Sequence, residues 1–126
     1  MRLVAAVLAM AVAGALFVVP AVAHVVRGTQ RGDRLVGTRK RDVLKGRKGD
    51  DRLNGKSGDD VLVGGGGNDK IFGSKGFDQI RGGGGNDVIS ARDGEPDMII
   101  CGRGTDRAVV DAVEDGVFDC EEVVEP

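Results

Sequence analysis

A nine-residue repeat runs through most of the chain, from residue 28 to residue 109. If positions are numbered from Gly28, position six is Asp in all nine copies, provided that one inserted residue is allowed in the eighth copy. Position eight is always Leu, Ile or, in the last copy, Ala. A period this short cannot hold a helix-turn-helix unit and is typical of parallel β-helices. The position-six residues are Asp33, Asp42, Asp51, Asp60, Asp69, Asp78, Asp87, Asp97 and Asp106; the position-eight residues are Leu35, Leu44, Leu53, Leu62, Ile71, Ile80, Ile89, Ile99 and Ala108.

Glycine at fixed positions predicts the backbone of each copy. Position one is Gly in seven copies, and position four is also Gly in seven. Only Gly adopts a positive φ or a close backbone contact without strain. Each copy is therefore predicted to be a turn followed by a short strand, in which position eight faces inward and positions seven and nine face outward. The sequence predicts an all-β fold, a parallel β-roll or β-solenoid of nine-residue repeats.

Two other structures share parts of this composition. The chain has 22 Gly, 30% charged residues and only 3% aromatic residues, a balance that is also found in disordered proteins. Collagen is rich in Gly too, but it requires Gly at every third residue, and this chain does not have it. Random low complexity would not preserve Asp at position six and an aliphatic residue at position eight through every copy. The pattern therefore favours an ordered solenoid.

The repeated aspartates predict a cation. If copies two apart stack on each other, their carboxylates lie about 4.8 Å apart and repel unless a cation sits between them. Calcium fits best, because it takes six to eight oxygen ligands in a flexible cage, whereas magnesium demands a strict octahedron. Zinc and copper lack their preferred ligands, since the chain has one His and two Cys. The predicted cofactor and partner is therefore Ca²⁺.

The copies at residues 64–72 (GGGGNDKIF), 82–90 (GGGGNDVIS) and 55–63 (GKSGDDVLV) resemble the GGxGxDxUx nonapeptide of the hemolysin-type (RTX) calcium-binding proteins. The resemblance covers residues 28–109. It implies a β-roll in which calcium is held between stacked turns by the position-six aspartates and by backbone carbonyls of the Gly-rich turns. Carried over residue by residue, it implies metal binding by the nine position-six aspartates named above and by Gly49, Gly58, Gly64, Gly65, Gly67, Gly76, Gly82, Gly83 and Gly85.

The implied aspartate pairs are Asp33 with Asp51, Asp51 with Asp69, Asp69 with Asp87, Asp87 with Asp106, Asp42 with Asp60, Asp60 with Asp78, and Asp78 with Asp97. Two departures from the pattern weaken the outer pairs. Arg31 and Lys40 replace the position-four Gly in the first two copies, and an insertion at Glu95-Pro96 precedes Asp97. The central pairs, from Asp51 to Asp87, are the strongest candidates.

The two ends of the chain have their own signals. Residues 1–23 are predicted to be a signal peptide, because Arg2 precedes a long apolar run and Ala21-Val22-Ala23 matches a cleavage site. An uncleaved membrane anchor is the alternative. The repeats would then occupy residues 24–109 of a secreted, extracellular chain that does not contact the membrane after cleavage. Val26 fits position eight of a partial copy that caps the roll, and His24 is expected to be a solvated bystander rather than a metal ligand.

A C-terminal cap is predicted over residues 110–126. Cys101 and Cys120 are expected to form a disulfide that ties this tail to the roll, because cysteines in secreted chains are usually paired. Free or intermolecular thiols are the alternative. The acids of the tail suggest either an irregular calcium loop or ordinary solvated charge.

Function is predicted to be calcium binding by a secreted module that folds on binding Ca²⁺. No catalytic constellation is visible, so we do not expect an enzyme; a glycosidase using adjacent acids such as Asp59 and Asp60 is the remaining enzymatic hypothesis. The alternative function is an extracellular adhesion or matrix component that binds an anionic polysaccharide, because residues 24–60 hold 11 Lys and Arg against 6 acids. Nucleic acid is not expected, since Trp and Tyr are absent. An ice-binding solenoid would need regular Thr rows, which the chain lacks. The sequence does not predict the oligomeric state.

Overall fold

Strands and turns make up the computed structural model of the chain, which describes residues 23–111 and 116–125. The predicted signal peptide lies outside these residues, apart from Ala23. Within the described ranges, no helix is long and apolar enough to cross a membrane. The strands are β1 (His24–Arg27), β2 (Arg34–Val36), β3 (Asp42–Arg47), β4 (Arg52–Asn54), β5 (Val61–Gly65), β6 (Lys70–Phe72), β7 (Gln79–Gly84), β8 (Val88–Ala91), β9 (Met98–Arg103), β10 (Arg107–Val110), β11 (Gly116–Phe118) and β12 (Glu122–Val124).

The strands form two six-stranded parallel sheets. The first sheet has the order β1-β3-β5-β7-β9-β11, and the second has the order β12-β10-β8-β6-β4-β2. Leu44 pairs with Leu62 in the first sheet and Leu53 with Ile71 in the second, so each strand stacks on the strand two copies away. One coil of the roll is therefore two nonapeptides, one in each sheet. This confirms the predicted β-solenoid.

The core lies between the two sheets and consists mainly of the position-eight residues. All nine of them are buried, with 0 to 7% of their surface exposed. The flanking residues of the strands face outward, as period-two alternation requires; Arg52 and Asn54 flank Leu53 in this way. Three further residues join the core: Ala91 and Val110 at the ends of β8 and β10, and Cys101 within β9. Burial at position eight thus fixes the register of every coil.

Glycine serves two different purposes in the turns. Position-four glycines take a positive φ, as at Gly58 with φ 98°. A Cβ on Gly58 would also lie 2.8 Å from the main-chain carbon and oxygen of Lys40 in the preceding coil. Position-one glycines do not have a positive φ, and they are needed because a side chain there would strike the neighbouring coil. The first requirement is conformational and the second is steric.

Both ends of the roll are capped within the described residues. At the start, β1 pairs with β3, and Val26 lies opposite Leu44, as the predicted partial copy requires. At the other end, β11 extends the first sheet and β12 extends the second. The disulfide between Cys101 and Cys120 is present and ties β9 to the segment between β11 and β12. The disulfide-tied cap is confirmed.

The insertion in the eighth copy does not disturb the sheets. Gln79 pairs with Met98 and Ile80 with Ile99, so the spacing between coils rises by one residue here. The extra residue is accommodated in the turn between β8 and β9. The strands before and after that turn keep their inward and outward faces.

Candidate metal sites

The position-six aspartates stack in two columns along the two edges of the roll. In each column, the main-chain N–H of one Asp donates to Oδ1 of the Asp in the next coil, at 2.7 Å for Asp33 to Asp51 and 2.9 Å for Asp60 to Asp78. All seven aspartate pairs that the sequence analysis named are neighbours of this kind. Asp97 belongs to the column despite the insertion, since its Oδ1 accepts the N–H of Asp78 at 2.8 Å.

In most of the stacked aspartates, the second carboxylate oxygen, Oδ2, has no hydrogen bond. Eight of the nine aspartates are buried, with no more than 2% of their surface exposed; Asp33, in the first copy, is only partly buried. Burying a carboxylate oxygen without a partner is costly, and native proteins rarely accept it. Repetition of the same orphan atom in successive coils indicates a ligand. The oxygens concerned are Oδ2 of Asp51, Asp60, Asp69, Asp78, Asp87 and Asp106.

Five of these oxygens, all except that of Asp106, lie next to a position-one glycine; in the copy of Asp106, position one is Cys101. A Cβ built on Gly55 would lie 2.5 Å from Oδ2 of Asp60 and 2.8 Å from the carbonyl oxygen of Gly73 in the next coil. At Gly82 the corresponding atoms are Oδ2 of Asp87 and the carbonyl oxygen of Cys101, both at 2.5 Å. We call the space beside such a glycine, bounded by an aspartate Oδ2 and a stacked carbonyl, an oxygen hollow.

Four oxygen hollows contain an orphan carboxylate oxygen. Asp78 differs, because the nearest atom to a Cβ on Gly73, apart from the carboxylate, is Cδ1 of Ile80 at 3.1 Å and not a stacked carbonyl oxygen. The four hollows are those of Asp51 with Gly64, Asp60 with Gly73, Asp69 with Gly82, and Asp87 with Cys101.

The electrostatics of the columns oppose ionisation. The pKa values of Asp60 and Asp69 are raised from 3.8 to about 7, mainly by burial and also by the neighbouring carboxylates, against the lowering effect of the N–H donated by the preceding Asp. The same causes raise the pKa of Asp78 to about 8 and that of Asp87 to about 6. A cation beside these oxygens would reverse the effect, because it favours the charged form.

The donor set fits a hard cation. The described residues contain no group of three or more His, Cys, Asp or Glu side chains that could hold a metal. A site here would therefore combine one or two carboxylates with main-chain carbonyls, which is the oxygen-only set that calcium prefers. Zinc would require nitrogen or sulfur ligands, and none lines the hollows. The residues present fit calcium.

The first two copies differ from the later ones because their Oδ2 atoms accept hydrogen bonds. The sequence analysis did not predict these bonds. The N–H of Thr29 donates to Oδ2 of Asp33 at 2.5 Å, and the N–H of Thr38 donates to Oδ2 of Asp42 at 2.6 Å. The hydroxyl groups of both threonines add bonds to the same oxygens, at 3.0 and 3.1 Å. Thr at position two, four residues before Asp, was the signal in the sequence.

His24 is not the bystander that the sequence suggested. Its Nδ1 lies 3.1 Å from Oδ1 of Asp42, the atom that accepts an N–H from the preceding coil elsewhere in the column. His24 thus closes the start of that column. Glu121 closes the far end of the other column, because its Oε2 accepts the N–H of Asp106 at 2.7 Å.

The predicted glycines fall into two groups. Gly64 and Gly82 line the oxygen hollows and also supply their stacked carbonyls. The remaining seven hold turn positions with positive φ: Gly49, Gly58, Gly65, Gly67, Gly76, Gly83 and Gly85. The structure thus brings the aspartates and two glycines together, while metal binding by each residue stays a prediction.

A second, exposed ladder runs beside the aspartate column. Oδ1 of Asp50 accepts the N–H of Asn68, and Oδ1 of Asn68 accepts the N–H of Asn86, both at 2.8 Å. Along the other edge, Oδ1 of Asp59 accepts the N–H of Phe77 at 3.0 Å. Asp and Asn are interchangeable in this role, because a carboxylate oxygen and an amide oxygen can each accept the main-chain N–H. Adjacent acids such as Asp59 and Asp60 therefore have separate structural positions.

We expect Gly82→Ala to damage the roll while Gly84→Ala does not. The new methyl group at Gly82 would overlap Oδ2 of Asp87 and the carbonyl oxygen of Cys101, whereas one at Gly84 meets nothing within 4 Å. Overpacking of this kind costs about 1–3 kcal/mol. Urea unfolding in calcium should show the loss for Gly82→Ala, together with weaker calcium binding. Equal stability of the two variants would contradict the steric account.

Comparisons with known proteins agree with this geometry. A family model described as the RTX calcium-binding nonapeptide repeat, in four copies, matches residues 27–62 and 63–95. No curated protein matches the chain. The matched segments span more than half of the chain and include all four oxygen hollows except for the carbonyl of Cys101. The chain therefore belongs to the family of RTX calcium-binding nonapeptide-repeat proteins.

Proposed function

We propose that this protein is a secreted calcium-binding module whose β-roll folds when calcium binds in the oxygen hollows. The observation that carries the proposal is the repeated orphan Oδ2 of Asp51, Asp60, Asp69 and Asp87 opposite a stacked carbonyl. Folding buries these carboxylates and stacks them, which opposes folding until a cation compensates them. Calcium binding and folding are then one event.

The residues of the chain have distinct parts in this function. The aspartates supply charge at Oδ2, while their Oδ1 atoms accept main-chain N–H groups and hold each carboxylate in a fixed orientation. Glycine at position one leaves the space that the ion requires. Bound calcium supplies a positive charge and oxygen coordination that joins successive coils. The protein acts as a binding or structural module and not as an enzyme.

Secretion is proposed from the N-terminal sequence and the disulfide. The apolar run before Ala21-Val22-Ala23 is typical of a cleaved signal peptide. The bond between Cys101 and Cys120 is typical of proteins in oxidising compartments. Extracellular calcium modules work with dissociation constants of about 10⁻⁴–10⁻³ M, which suits a chain that stays unfolded inside the cell and folds after export.

Circular dichroism of residues 24–126 tests the proposal. After the protein is stripped with chelator, added calcium should convert a coil spectrum to a β spectrum, and magnesium at the same concentration should not. A protein that is β-rich in chelator at neutral pH and indifferent to calcium would refute calcium-coupled folding. N-terminal sequencing of the exported protein tests secretion, and a mature terminus at His24 is the expected result.

A second candidate function is binding of an acidic polysaccharide. On the outer face of the second sheet, Arg34, Arg52 and Lys70 lie side by side in successive strands. Within the described residues, none of the three forms an ion pair. Strands are about 4.8 Å apart, so these cations repel each other, and a linear polyanion would relieve the repulsion.

Replacing Arg34, Arg52 and Lys70 with Gln tests this second candidate. Binding to an immobilised uronic acid polymer should be lost in the triple variant and should weaken with added salt in the native protein. A control triple variant removes the same charge from other exposed positions, at Lys75 and Arg92 in turns and at Arg103, the last residue of β9. Equal binding by both variants would refute a site on this face.

A further inference from the structure

The first coil contains the same hollows as the later coils, but they are filled by the protein itself. A Cβ on Gly37 would lie 2.6 Å from Oδ2 of Asp42 and 2.5 Å from the carbonyl oxygen of Gly55. A Cβ on Gly28 would lie 2.7 Å from Oδ2 of Asp33 and 2.5 Å from the carbonyl oxygen of Gly46. The architecture at position one, position six and the stacked carbonyl is thus unchanged from the oxygen hollows.

The difference lies in the donors that reach Oδ2. Thr38 donates both its N–H and its hydroxyl to Oδ2 of Asp42. Thr29 does the same for Asp33. In the four oxygen hollows of the later coils, the corresponding Oδ2 atoms have no hydrogen bond. A carboxylate with two good donors needs no cation, and a cation that displaced the donors would leave a main-chain N–H without a partner.

The φ angle at position two distinguishes the turns of the first coil, where Oδ2 accepts hydrogen bonds, from the turns of the later coils, where it does not. In the third to seventh copies this position has a positive φ, even where the residue is Arg47, Lys56 or Ser74. Thr29 and Thr38 do not have a positive φ, which β-branched residues strongly disfavour. Their N–H groups therefore point at the carboxylate of their own turn. Arg31 and Lys40 likewise lack the positive φ of the position-four glycines.

We propose that the first coil is a metal-independent cap in which Thr29 and Thr38 take the place of calcium. The inference rests on the proposed function, and it assigns calcium to the oxygen hollows of Asp51, Asp60, Asp69 and Asp87 while excluding Asp33 and Asp42. His24 completes the cap by contacting the other oxygen of Asp42. The roll thus begins with a coil whose carboxylates are satisfied at any calcium concentration.

Converting the cap into a calcium site tests the inference. The double variant Thr38→Gly with Lys40→Gly gives the second copy glycine at positions one, two and four, as in residues 64–72. Equilibrium dialysis with elemental analysis should then find one more calcium ion per molecule than in the native protein. Thr38→Ser keeps the hydroxyl and should leave the number unchanged.

Removing carboxylates provides the complementary measurement. Asp42→Asn in the native background should leave the number of bound ions unchanged, whereas Asp60→Asn should lower it by one. Loss of an ion in Asp42→Asn would overturn the cap while leaving calcium binding intact. A native protein that binds no calcium would overturn the proposed function as well, so the two failures are distinguishable.

Hydrogen exchange in the native protein does not depend on any variant. The amide protons of Thr29 and Thr38 should be protected in the calcium-loaded roll, because each is bonded to a carboxylate. Rapid exchange of both amides in saturating calcium would show that the ion has displaced them, and would overturn the inference.

Discussion

In chelator, the protein is expected to become less stable as the pH rises from about 5 to about 8. Burial raises the folded-state pKa values of Asp60, Asp69, Asp78 and Asp87 from 3.8 to between about 6 and about 8. A raised carboxyl pKa means that folding favours the protonated form. The stabilisation is therefore complete below pH 3.8 and is lost as the pH rises through the folded-state values.

The size of this effect is large for a small domain. A shift of one pKa unit corresponds to about 1.4 kcal/mol, so a shift of only that size at each of the four carboxylates changes the free energy of unfolding by about 6 kcal/mol. Whole domains are stable by only about 5–15 kcal/mol. A proton on Oδ2 can also donate to the stacked carbonyl, which fills the place of the ion. The chelated roll should accordingly be folded at mildly acidic pH and largely unfolded at pH 8.

Thermal unfolding at several pH values checks this prediction. In chelator, the midpoint should fall steadily between pH 5 and pH 8, while in saturating calcium it should change little over the same range. Calcium binding at pH 6 to 7 should release protons, which calorimetry in buffers of different ionisation enthalpy can count. A chelated protein whose midpoint rises with pH would contradict the assignment of the raised pKa values.

Asp60→Asn should remove one calcium site, whereas Asp59→Asn should have little effect. Asp60 is buried with an orphan Oδ2, and an amide there loses the charge and one oxygen ligand. Mutating a residue that only hydrogen-bonds to a metal ligand lowers metal affinity about 10–100-fold. Loss of a direct ligand should therefore lower the calcium affinity of that site by at least about 100-fold. Asp59 is exposed and only accepts the N–H of Phe77, which Asn can do equally well.

The two variants differ in a second respect that separates site loss from misfolding. An amide at position 60 is neutral, and its NH₂ can donate to the carbonyl of Gly73 as a protonated carboxyl would. Asp60→Asn should therefore stabilise the chelated protein at pH 8 while weakening calcium binding. Calcium titrations and urea unfolding in chelator measure the two effects. A variant that is less stable in chelator and in calcium alike would point to a packing defect instead.

The repeat by itself determined the fold, the core and the aspartate pairs. In a strand the side chains alternate between two faces, so an aliphatic residue at every position eight can only be buried between stacked coils. Once Leu44 lies on Leu62, Asp42 must lie beside Asp60, whatever the remaining residues are. A strict period thus fixes long-range neighbours that an irregular sequence would leave open. The insertion before Asp97 changed the length of one turn and not this register.

Only the tertiary structure decided which of these carboxylates lack a hydrogen bond. That depends on the φ angle at position two, where Arg47 and Lys56 take positive values and Thr38 does not. It depends as well on donors from elsewhere in the chain, since His24 reaches Asp42 from the preceding coil. The β-branched threonines mark the first case in the sequence, whereas the contact of His24 results from the close stacking of turns that are distant in sequence. The period places every carboxylate, and the packing of the turns selects those that are left for an ion.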